Sequence, residues 1–459
     1  MATLNNRPIL LQGGLVVSMD PRVGNLRGDV LIANGKIVAV AQSLSELATD
    51  HAVVVDATGT IVMPGLVESH VHAWQGQLRG IAPAIDFGTY LDLIHHGLAH
   101  HYRPHDVYVG NFVTSLQALD GGVTTILDNS HNSRTPDHSN AAVEALRDTG
   151  IRAVHACGAA ISGTTANAWP GDVLRLRDEY FSSEDQLLTL RLFDAYPDAR
   201  AWQFAKDNDL WISHEMGGGG YVDNLPEMHA AGLLTDRHTF NHCFGTEDAD
   251  WKLIADSGAQ VNLNARSDAH FGLGPAHAPL TEAKKHGIRP GLSMDNEISY
   301  GLDMFVEMQT LLGLTRARTF EHNLSNPDSP IEQITIGEML EYATLGGAAN
   351  CNLDNKIGSL TPGKEADVIL VRTTDFNTAP TNNVYATLVG FANRCNVDSV
   401  FVAGEVKKWN GHLVDHDLSA LEAVSHASRE HLFAAHGVAA NVFSEYGFDP
   451  IDTRDSVPS

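Results

Sequence analysis

Two histidines stand two residues apart in the first part of the chain, His70 and His72, with Val71 between them. If residues 66–72 form a strand, side chains alternate between its two faces, so both imidazoles point the same way. Two imidazoles on one face at the end of a strand suit one divalent cation. The same pair also fits a plain polar strand end, so the metal hypothesis needs further ligands.

Further candidate ligands end three other apolar segments: His214 closes LWISH, His242 closes TFNH and Asp295 closes PGLSMD. Each alone has an ordinary explanation, such as a hydrogen-bonded structural histidine or a helix N-cap aspartate. Together with the first pair they offer nitrogen and oxygen ligands, which suit Zn²⁺ and also Fe²⁺, Co²⁺ or Mn²⁺. Such an ion lowers the pKa of bound water toward neutrality and so supplies hydroxide for hydrolysis.

The middle of the chain, about residues 63–356, alternates short apolar strands with helical stretches. A helical stretch over residues 140–149, for example, separates GVTTILD from IRAVHA, and Gly150 stands where a C-cap glycine belongs. This alternation predicts a parallel sheet, and its length suits a (β/α)₈ barrel. Functional groups of such barrels lie at the C-terminal ends of the strands, where all five candidates fall.

Both ends of the chain carry strand patterns without helices between them. Residues 8–62 contain several short strand patterns and an Asn34-Gly35 hairpin signal. Residues 366–371 and 397–402, near the other end of the chain, also have strand patterns. We therefore predict an α/β fold with a TIM-type barrel over residues 63–356, a small β-sandwich domain built from residues 1–62 and 357–412, and a C-terminal helical tail over residues 413–459.

Composition narrows the class of protein and its partners. The 459 residues carry a net charge of −26, which argues against nucleic acid or an anionic membrane as partner. The four cysteines are scattered without a Cys-x-x-Cys pair, as in a reducing compartment. A signal peptide and an apolar run of membrane-spanning length are both missing from the sequence. We predict a soluble, cytoplasmic protein that acts on a small molecule.

Longer segments resemble the amidohydrolase superfamily, and the resemblance covers nearly the whole chain. PGLVESHVHAWQGQLRG is similar to the first-strand motif of the cytosine deaminase, S-adenosylhomocysteine deaminase and triazine hydrolase branch, and DGGVTTILDNSHN, HGIRPGLSMDN and IGSLTPGKEADVILV resemble other family blocks. The resemblance implies a barrel hydrolase with one divalent metal ion per chain, Zn²⁺ first and Fe²⁺, Co²⁺ or Mn²⁺ as alternatives. It also implies a homo-oligomer, either a dimer or a tetramer.

The resemblance assigns roles to particular residues. It makes metal ligands of His70, His72, His214 and Asp295, places His242 on the metal or its hydroxide, and makes Asp295 the base that takes a proton from water. A single ion is predicted because no lysine lies in the fourth-strand candidate, residues 187–196, where binuclear relatives carry a bridging carbamylated lysine. Candidate substrate contacts are Trp74, Gln75, His131, Asp268 and His270, with packing roles open for the first two.

Two departures from the family pattern bear on the reaction. The glutamate that many deaminases of this branch carry three residues after the His214 position is Gly217 here, and the second histidine of a His-x-x-His motif is missing after His242. Glu215 alternates to the outer face if its strand continues. The pairs His95-His96 and His100-His101 fit solvated helix or loop positions better than ligand positions.

These departures leave three functions open. The first is hydrolysis of a C–N, C–S or C–halide bond at an sp² carbon of a small apolar amide, thiocarbamate or heterocycle. The second is deamination of an N-heterocycle such as a purine, pyrimidine or triazine. The third is a non-enzymatic interaction protein on the same fold, against which the retained ligand set argues.

Overall fold

A computed structural model of the chain describes residues 7–46, 51–163, 169–183, 185–195, 198–217, 224–274 and 278–438. The end of the predicted helical tail, residues 439–459, lies outside the described residues. Within them, none of the helices combines the length and apolar character that crossing a membrane would require.

Strands occur in two sheets. In chain order the described strands are β1 (Ile9–Val17), β2 (Asn25–Ala33), β3 (Lys36–Ala41), β4 (Val53–Asp56), β5 (Thr60–Pro64), β6 (Leu66–Val71), β7 (Val123–Ser130), β8 (Arg152–Gly158), β9 (Leu188–Asp194), β10 (Ile212–Gly217), β11 (His238–Phe244), β12 (Gln260–Leu263), β13 (Gly291–Leu292), β14 (Val368–Arg372), β15 (Val397–Val402), β16 (Glu405–Trp409) and β17 (His412–Leu413).

Helices fill most of the connections. The described α-helices are α1 (Phe87–Tyr90), α2 (Pro104–Asp120), α3 (Pro136–Thr149), α4 (Asp172–Tyr180), α5 (Ala199–Asp207), α6 (Leu225–Ala230), α7 (Asp248–Ser257), α8 (Ala265–Phe271), α9 (Leu280–Lys285), α10 (Met304–Ser325), α11 (Ile336–Glu341), α12 (Gly347–Asn350), α13 (Val384–Ala386) and α14 (Leu418–His436). Short 3₁₀ turns cover Ala73–Leu78, Leu98–His101 and Arg394–Asn396, and π turns cover Leu91–His95, Tyr342–Gly346 and Thr387–Phe391.

The eight strands β6 to β13 form one parallel sheet in sequence order, with helices between them. All eight residues of β7 are buried, as expected for a strand with a core on both sides. An isolated bridge between Val71 and Asp295 joins β6 to the segment after β13, so the sheet curls into a nearly closed barrel. The predicted (β/α)₈ barrel is confirmed.

The second sheet takes strands from both ends of the chain. Its order is β17-β16-β15-β14-β5-β1-β2-β3, with β4 paired to β1. The junction between the two chain ends is the antiparallel pair of β5 and β14, which runs from Thr60 opposite Arg372 to Pro64 opposite Val368. The prediction of a separate β structure assembled from both ends is confirmed, whereas the division of the chain at residues 62, 357 and 413 stays a prediction.

Helix α2 packs closely against the backbone of the 3₁₀ turn Ala73–Leu78, which follows His70 and His72 in the chain. Gly110 in α2 faces the carbonyl group of Trp74, and a Cβ at position 110 would overlap that carbonyl. We expect Gly110→Ala to destabilise the protein by about 1–3 kcal/mol, because the obstacle is backbone that must shift. Chemical denaturation measures the change.

A matched glycine in another helix serves as the control. Gly313 lies in the exposed face of α10, where an added Cβ meets nothing within 4 Å. Gly313→Ala is expected to stabilise by up to about 1 kcal/mol through helix propensity. Equal effects of the two substitutions would contradict the proposed close approach.

Candidate active site

Barrel closure brings the first and last strand ends together at the C-terminal side of the barrel, where this fold places functional groups. The amide of His72 donates to the carbonyl oxygen of Asp295 at 2.8 Å, and the amide of Asp295 donates to the carbonyl oxygen of His70 at 3.2 Å. These backbone bonds hold the three residues side by side, although more than two hundred residues separate them in sequence.

His70, His72 and Asp295 form one compact, buried group. Asp295 Oδ1 lies 3.3 Å from His70 Nε2 and 3.2 Å from His72 Nε2. Their potential ligand atoms all lie within 4.8 Å of one another. The structure thus brings three of the predicted ligands together, and their role as ligands stays a prediction.

Asn129 in β7 contacts the Nδ1 atoms of both His70 and His72, on the side of each ring opposite Nε2. His72 Nδ1 lies 2.9 Å from the Asn129 carbonyl oxygen, so it donates its proton there and leaves the Nε2 lone pair facing the site. The Nδ1 atom of His70 lies against the Asn129 side-chain amide, whose Oδ1 has no other partner. With that oxygen turned toward the ring, Asn129 accepts the second Nδ1 proton in the same way.

Glu215 also faces this group, contrary to the sequence prediction. Its Oε1 lies 3.5 Å from His70 Nε2, and its Oε2 lies 3.3 Å from His242 Nε2. Side chains do alternate along β10, but Glu215 lies on the face toward the clustered histidines and His214 lies on the opposite face, the reverse of the prediction. The prediction that Glu215 lies on the outer face is wrong.

His214 occupies the face of β10 that packs against the helices. Its ring centroid lies 4.5 Å from that of Trp202, and its Nε2 lies 2.9 Å from His238 Nδ1. A signal of this orientation was present in the sequence, because Ile212, two residues earlier on the same face of β10, is an apolar core residue. The structure does not bring His214 to the group, and the predicted ligand role of His214 has no support from this geometry.

His242 enters the site through an unusual turn at the end of β11. Phe240, two residues earlier, packs outward against Trp202, so simple alternation would send His242 outward as well. Instead His242 and Cys243 have φ angles of 65° and 57°, and the pairing with β10 slips at the same place. Such left-handed backbone costs about 1–3 kcal/mol per residue, and here it re-aims the imidazole into the site.

A buried carboxylate holds the other side of this imidazole. His242 Nδ1 lies 2.7 Å from Asp268 Oδ1, while Nε2 faces Glu215. Burial alone would lower the pKa of His242, but Asp268 and Glu215 raise that pKa well above its usual range. Both carboxylates therefore favour the protonated form of this ring. Asp268, a predicted substrate contact, lies against His242, and its contact with substrate stays a prediction.

Asp295 is held in its ionised form. Although burial alone would raise the pKa of Asp295, the imidazoles of His70 and His72 hold it well below its usual range. Its Oδ2 accepts hydrogen bonds from Ser267 Oγ at 2.5 Å and Asn296 Nδ2 at 3.0 Å. Its Oδ1 is thereby left to face the two imidazoles.

Aromatic and apolar side chains wall a pocket of about 70 Å³ above the clustered groups. The floor consists of His72, Glu215, His242 and Asp295. The walls comprise Phe87, Tyr90, Leu91, His95, His131, Ile161, Ala195, Met216, Gly217, Phe244 and Leu273. The pocket thus combines largely apolar walls with a polar floor.

The predicted substrate contacts divide between the wall and the layer behind it. His131 lines the pocket. Trp74 and Gln75 are fully buried behind the wall, where Trp74 Nε1 lies 3.4 Å from His131 Nδ1 and Gln75 Nε2 donates to the Tyr90 hydroxyl at 2.8 Å. Both therefore support wall residues. His270 does not line the described part of the pocket.

Sequence reasoning missed Tyr90, and its prediction of a solvated position is wrong for His95, because the structure buries both residues in the wall. His95 follows from a π turn after α1, and its Nε2 lies 3.1 Å from the Tyr90 hydroxyl. Burial lowers the pKa of His95 to about 3, so the ring is neutral at pH 7. Hydrophobic periodicity gives no signal here, because the inserted turn breaks the helical repeat that would place these side chains.

The clustered side chains fit a divalent metal ion. His70 Nε2 and both carboxylate oxygens of Glu215 are buried atoms that make no hydrogen bond of acceptable geometry. Two anchored imidazoles and nearby carboxylates are ligand types that divalent transition metals bind. Leaving such groups buried without a partner is costly, and an ion would satisfy them together.

Comparison with known proteins identifies the family. The model of the amidohydrolase family matches residues 61–407. The chain belongs to the amidohydrolase family. Its match covers the whole barrel and part of the second sheet, so the predicted superfamily is confirmed.

Named relatives within this family are deaminases. The 5'-deoxyadenosine deaminase of Methanosarcina acetivorans is 26% identical over 439 residues, covering 87% of this chain and 92% of the relative. The 5-methylthioadenosine/S-adenosylhomocysteine deaminase of Desulforudis audaxviator is 26% identical over 400 residues, covering 83% and 89%. The predicted class, a metal-dependent hydrolase, is consistent with the family match and with these named relatives.

Solved structures show the same fold. An adenosine deaminase from Xanthomonas campestris, solved with bound zinc, superposes with a TM-score of 0.82 at 23% identity and covers 93% of this chain and 98% of its own. A mutant atrazine chlorohydrolase from Arthrobacter aurescens, solved with zinc and atraton, has a TM-score of 0.76 at 22% identity, covering 92% and 99%.

Metal removal should measurably destabilise this amidohydrolase. An ion that binds only the folded chain stabilises it by about 2.7 kcal/mol at a concentration of 100 Kd. We therefore expect Tm to fall after chelation and to recover on adding Zn²⁺ or Co²⁺, but not Ca²⁺, which prefers oxygen ligands. Differential scanning calorimetry checks this, and an unchanged Tm in a fully demetallated sample would contradict it.

Proposed function

We propose that the protein is a metal-dependent aminohydrolase that releases ammonia or a small amine from a ring carbon of an N-heterocycle. The observation that carries the proposal is the placement of His242, whose Nδ1 lies 2.7 Å from Asp268 Oδ1 and which lines the same pocket as His72 and Asp295. The sequence left deamination open as an alternative to amide or thiocarbamate hydrolysis, and this arrangement favours deamination.

The clustered residues divide the reaction between them. His70, His72 and Asp295 would hold one divalent ion, with Zn²⁺ the first candidate. When bound, such an ion lowers the pKa of water toward neutrality and makes it a nucleophile at neutral pH. Asp295 would accept the proton that this water gives up, and later deliver it to the leaving nitrogen.

Attack at a ring carbon builds negative charge on the neighbouring ring nitrogen, which needs a proton. Gly217 cannot supply one, which taken alone favours a carbonyl substrate that does not need a proton on a ring nitrogen. His242 is placed to supply it, because its ring lines the pocket and the carboxylates of Asp268 and Glu215 raise its pKa above the usual range. A positioned acid of this kind is worth roughly 10²–10⁴ in rate.

The pocket walls support a compact, flat substrate. Phe87 and Tyr90 stack with ring centroids 6.0 Å apart on one side, and Phe244 lies beside His242 on the other. The volume of about 70 Å³, as the described residues bound it, is smaller than the roughly 150 Å³ that holds benzene in an engineered apolar cavity. Binding even a single aromatic ring would therefore require the wall segments to move apart.

A substrate panel tests the proposal. Metal-loaded protein is incubated with amino- and alkylamino-substituted purines, pyrimidines and triazines, and release of ammonia or amine is measured. Matched amides and thiocarbamates form the control set. Turnover of the heterocycles that falls in Asp268→Asn is the expected result, and turnover confined to amides or thiocarbamates would overturn the proposal.

Exposed apolar side chains on α10 support the further proposal of a homo-oligomer. Phe320 and Leu324 are 52% and 84% exposed. Covering such side chains is a common reason for association between copies of a chain. Light scattering at micromolar concentration distinguishes a dimer or tetramer from a monomer, which would contradict this proposal.

A further inference from the structure

Two carboxylates, those of Asp295 and Glu215, approach the same two imidazole nitrogens at the floor of the pocket. Asp295 Oδ1 lies 3.3 and 3.2 Å from the Nε2 atoms of His70 and His72. Glu215 Oε1 lies 3.5 and 3.7 Å from the same two nitrogens. A tetrahedral ion with bonds of about 2.0–2.2 Å separates its ligands by roughly 3.3–3.6 Å.

We propose that Glu215 is the fourth protein ligand of the metal ion. The ion is then held by two imidazole nitrogens and two carboxylate oxygens, with His214 outside the cage. This inference rests on the metal-dependent function proposed above, and it names a ligand that the family resemblance did not.

The surroundings of His214 exclude it from this role in the present fold. His238 Nε2 donates to the Leu233 carbonyl oxygen at 3.0 Å, so its Nδ1 accepts the Nε2 proton of His214 at 2.9 Å. The ring of His214 is fully buried against Trp202, on the helix side of β10. Reaching the pocket would require turning the strand over.

The charge balance at the pocket floor also points to Glu215 as a ligand. Within the described residues, its carboxylate lies within 4 Å of imidazole nitrogens, and no lysine or arginine pairs with it. Asp295 brings a second carboxylate to the same two imidazoles. Two carboxylates that are buried together without a strong base need a compensating charge, and a doubly charged cation supplies it.

His242 remains free for proton transfer in this arrangement. Its Nε2 lies 3.3 Å from Glu215 Oε2, and its potential ligand atom lies within 4.8 Å of that of His70. Glu215 Oε1 faces His70 and His72. Glu215 thus links the ion to the imidazole that Asp268 holds. A histidine ligand at the position of Glu215 would have no second carboxylate oxygen to contact His242.

An oxygen-rich cage has a consequence for metal choice. Carboxylate oxygens suit harder ions such as Mn²⁺ better than imidazole nitrogens do. Replacing one imidazole of a typical nitrogen-rich zinc site by Glu215 should therefore narrow the difference in affinity between Zn²⁺ and Mn²⁺. Glu215→Gln should weaken Mn²⁺ binding more than Zn²⁺ binding.

Metal affinity and the absorption spectrum of bound Co²⁺ test the assignment without relying on activity. The full-length wild type, Glu215→Gln and the control His214→Gln are demetallated and titrated with Zn²⁺ and Co²⁺ against a chelator of known affinity. We expect Glu215→Gln to lose more than about 100-fold in affinity, since even losing a residue that only orients a ligand costs 10–100-fold. We expect His214→Gln to lose less than tenfold and to keep the wild-type Co²⁺ visible bands.

The outcomes separate this inference from the proposed function. Wild type that holds one ion, with unchanged affinity and Co²⁺ spectrum in Glu215→Gln, overturns the ligand assignment and leaves the metal-dependent function intact. A larger loss in His214→Gln than in Glu215→Gln, at unchanged Tm, overturns it as well. Wild type that binds no metal and still turns over its substrate overturns the metal-dependent function itself.

Discussion

Asp295→Asn is expected to lower kcat by about 10²- to 10⁴-fold, because an amide cannot accept the proton that water must lose. The side chain keeps its size and one oxygen, so the protein should stay folded. Metal occupancy should fall without vanishing. In the wild type Asn296 Nδ2 donates to Asp295 Oδ2 at 3.0 Å, and in the variant an amide group in place of that oxygen would put two donors opposite each other. Steady-state kinetics, metal analysis and Tm measure the three expectations.

A neighbouring substitution separates loss of the base from loss of its support. Ser267→Ala removes the hydrogen bond to Asp295 Oδ2 but leaves the carboxylate in place. Its kcat should fall much less than that of Asp295→Asn. If Asp295→Asn turned over substrate at the wild-type rate with metal bound, Asp295 would not be the base.

Arg152→Met is expected to destabilise the protein by about 3–5 kcal/mol, the cost of leaving one charge of a buried pair uncompensated. Arg152 at the start of β8 donates to Asp367 just before β14, at 2.8 and 3.0 Å, and both side chains are buried. This pair connects the barrel to the second sheet. Urea denaturation measures the loss.

The controls for this prediction come from the same chain. Arg152→Met combined with Asp367→Asn removes both charges and keeps an acceptor for the amide of Ala403, so the double variant should be more stable than Arg152→Met alone. Arg200→Met breaks an exposed pair with Asp198 and should cost about 0–1 kcal/mol. Equal losses in Arg152→Met and Arg200→Met would contradict the burial argument.

The barrel and the grouping of its strand ends could be predicted from sequence, since both follow from a repeated pattern. Strands alternate with helices, parallel strands end on one side, and His70, His72 and Asp295 end strands. The structure brings these three together by the rule that predicted them. The pairing of distant chain ends into one sheet was likewise visible as strand patterns without helices.

The face of a strand was harder to predict than its position. Histidine is a common metal ligand, which suggested that His214 faces the pocket, but its ring packs against Trp202 and His238 on the helix side of β10, the side that the apolar Ile212 also occupies. His242 shows the opposite failure, because its left-handed backbone overrides alternation and no local sequence pattern announces it. Tertiary context decided both cases, which is why Glu215 was assigned to the wrong side.

The wall of the pocket was the least predictable part. Tyr90 and His95 reach it through a short helix and a π turn, whose side-chain directions depend on a single inserted residue. Trp74 and Gln75 follow the metal pair closely in sequence, yet lie behind the wall because a 3₁₀ turn directs them away from the pocket.

The junction of β5 and β14 has a consequence for biosynthesis. β5 is completely buried in the finished protein, but its partner β14 follows about 300 residues later in the chain. At synthesis rates of 5–20 residues per second, β5 waits roughly 15–60 s for that partner. During this time an apolar strand edge stays open on the ribosome, where it can pair with other chains. Soluble yield should therefore depend on chaperones that shield nascent chains.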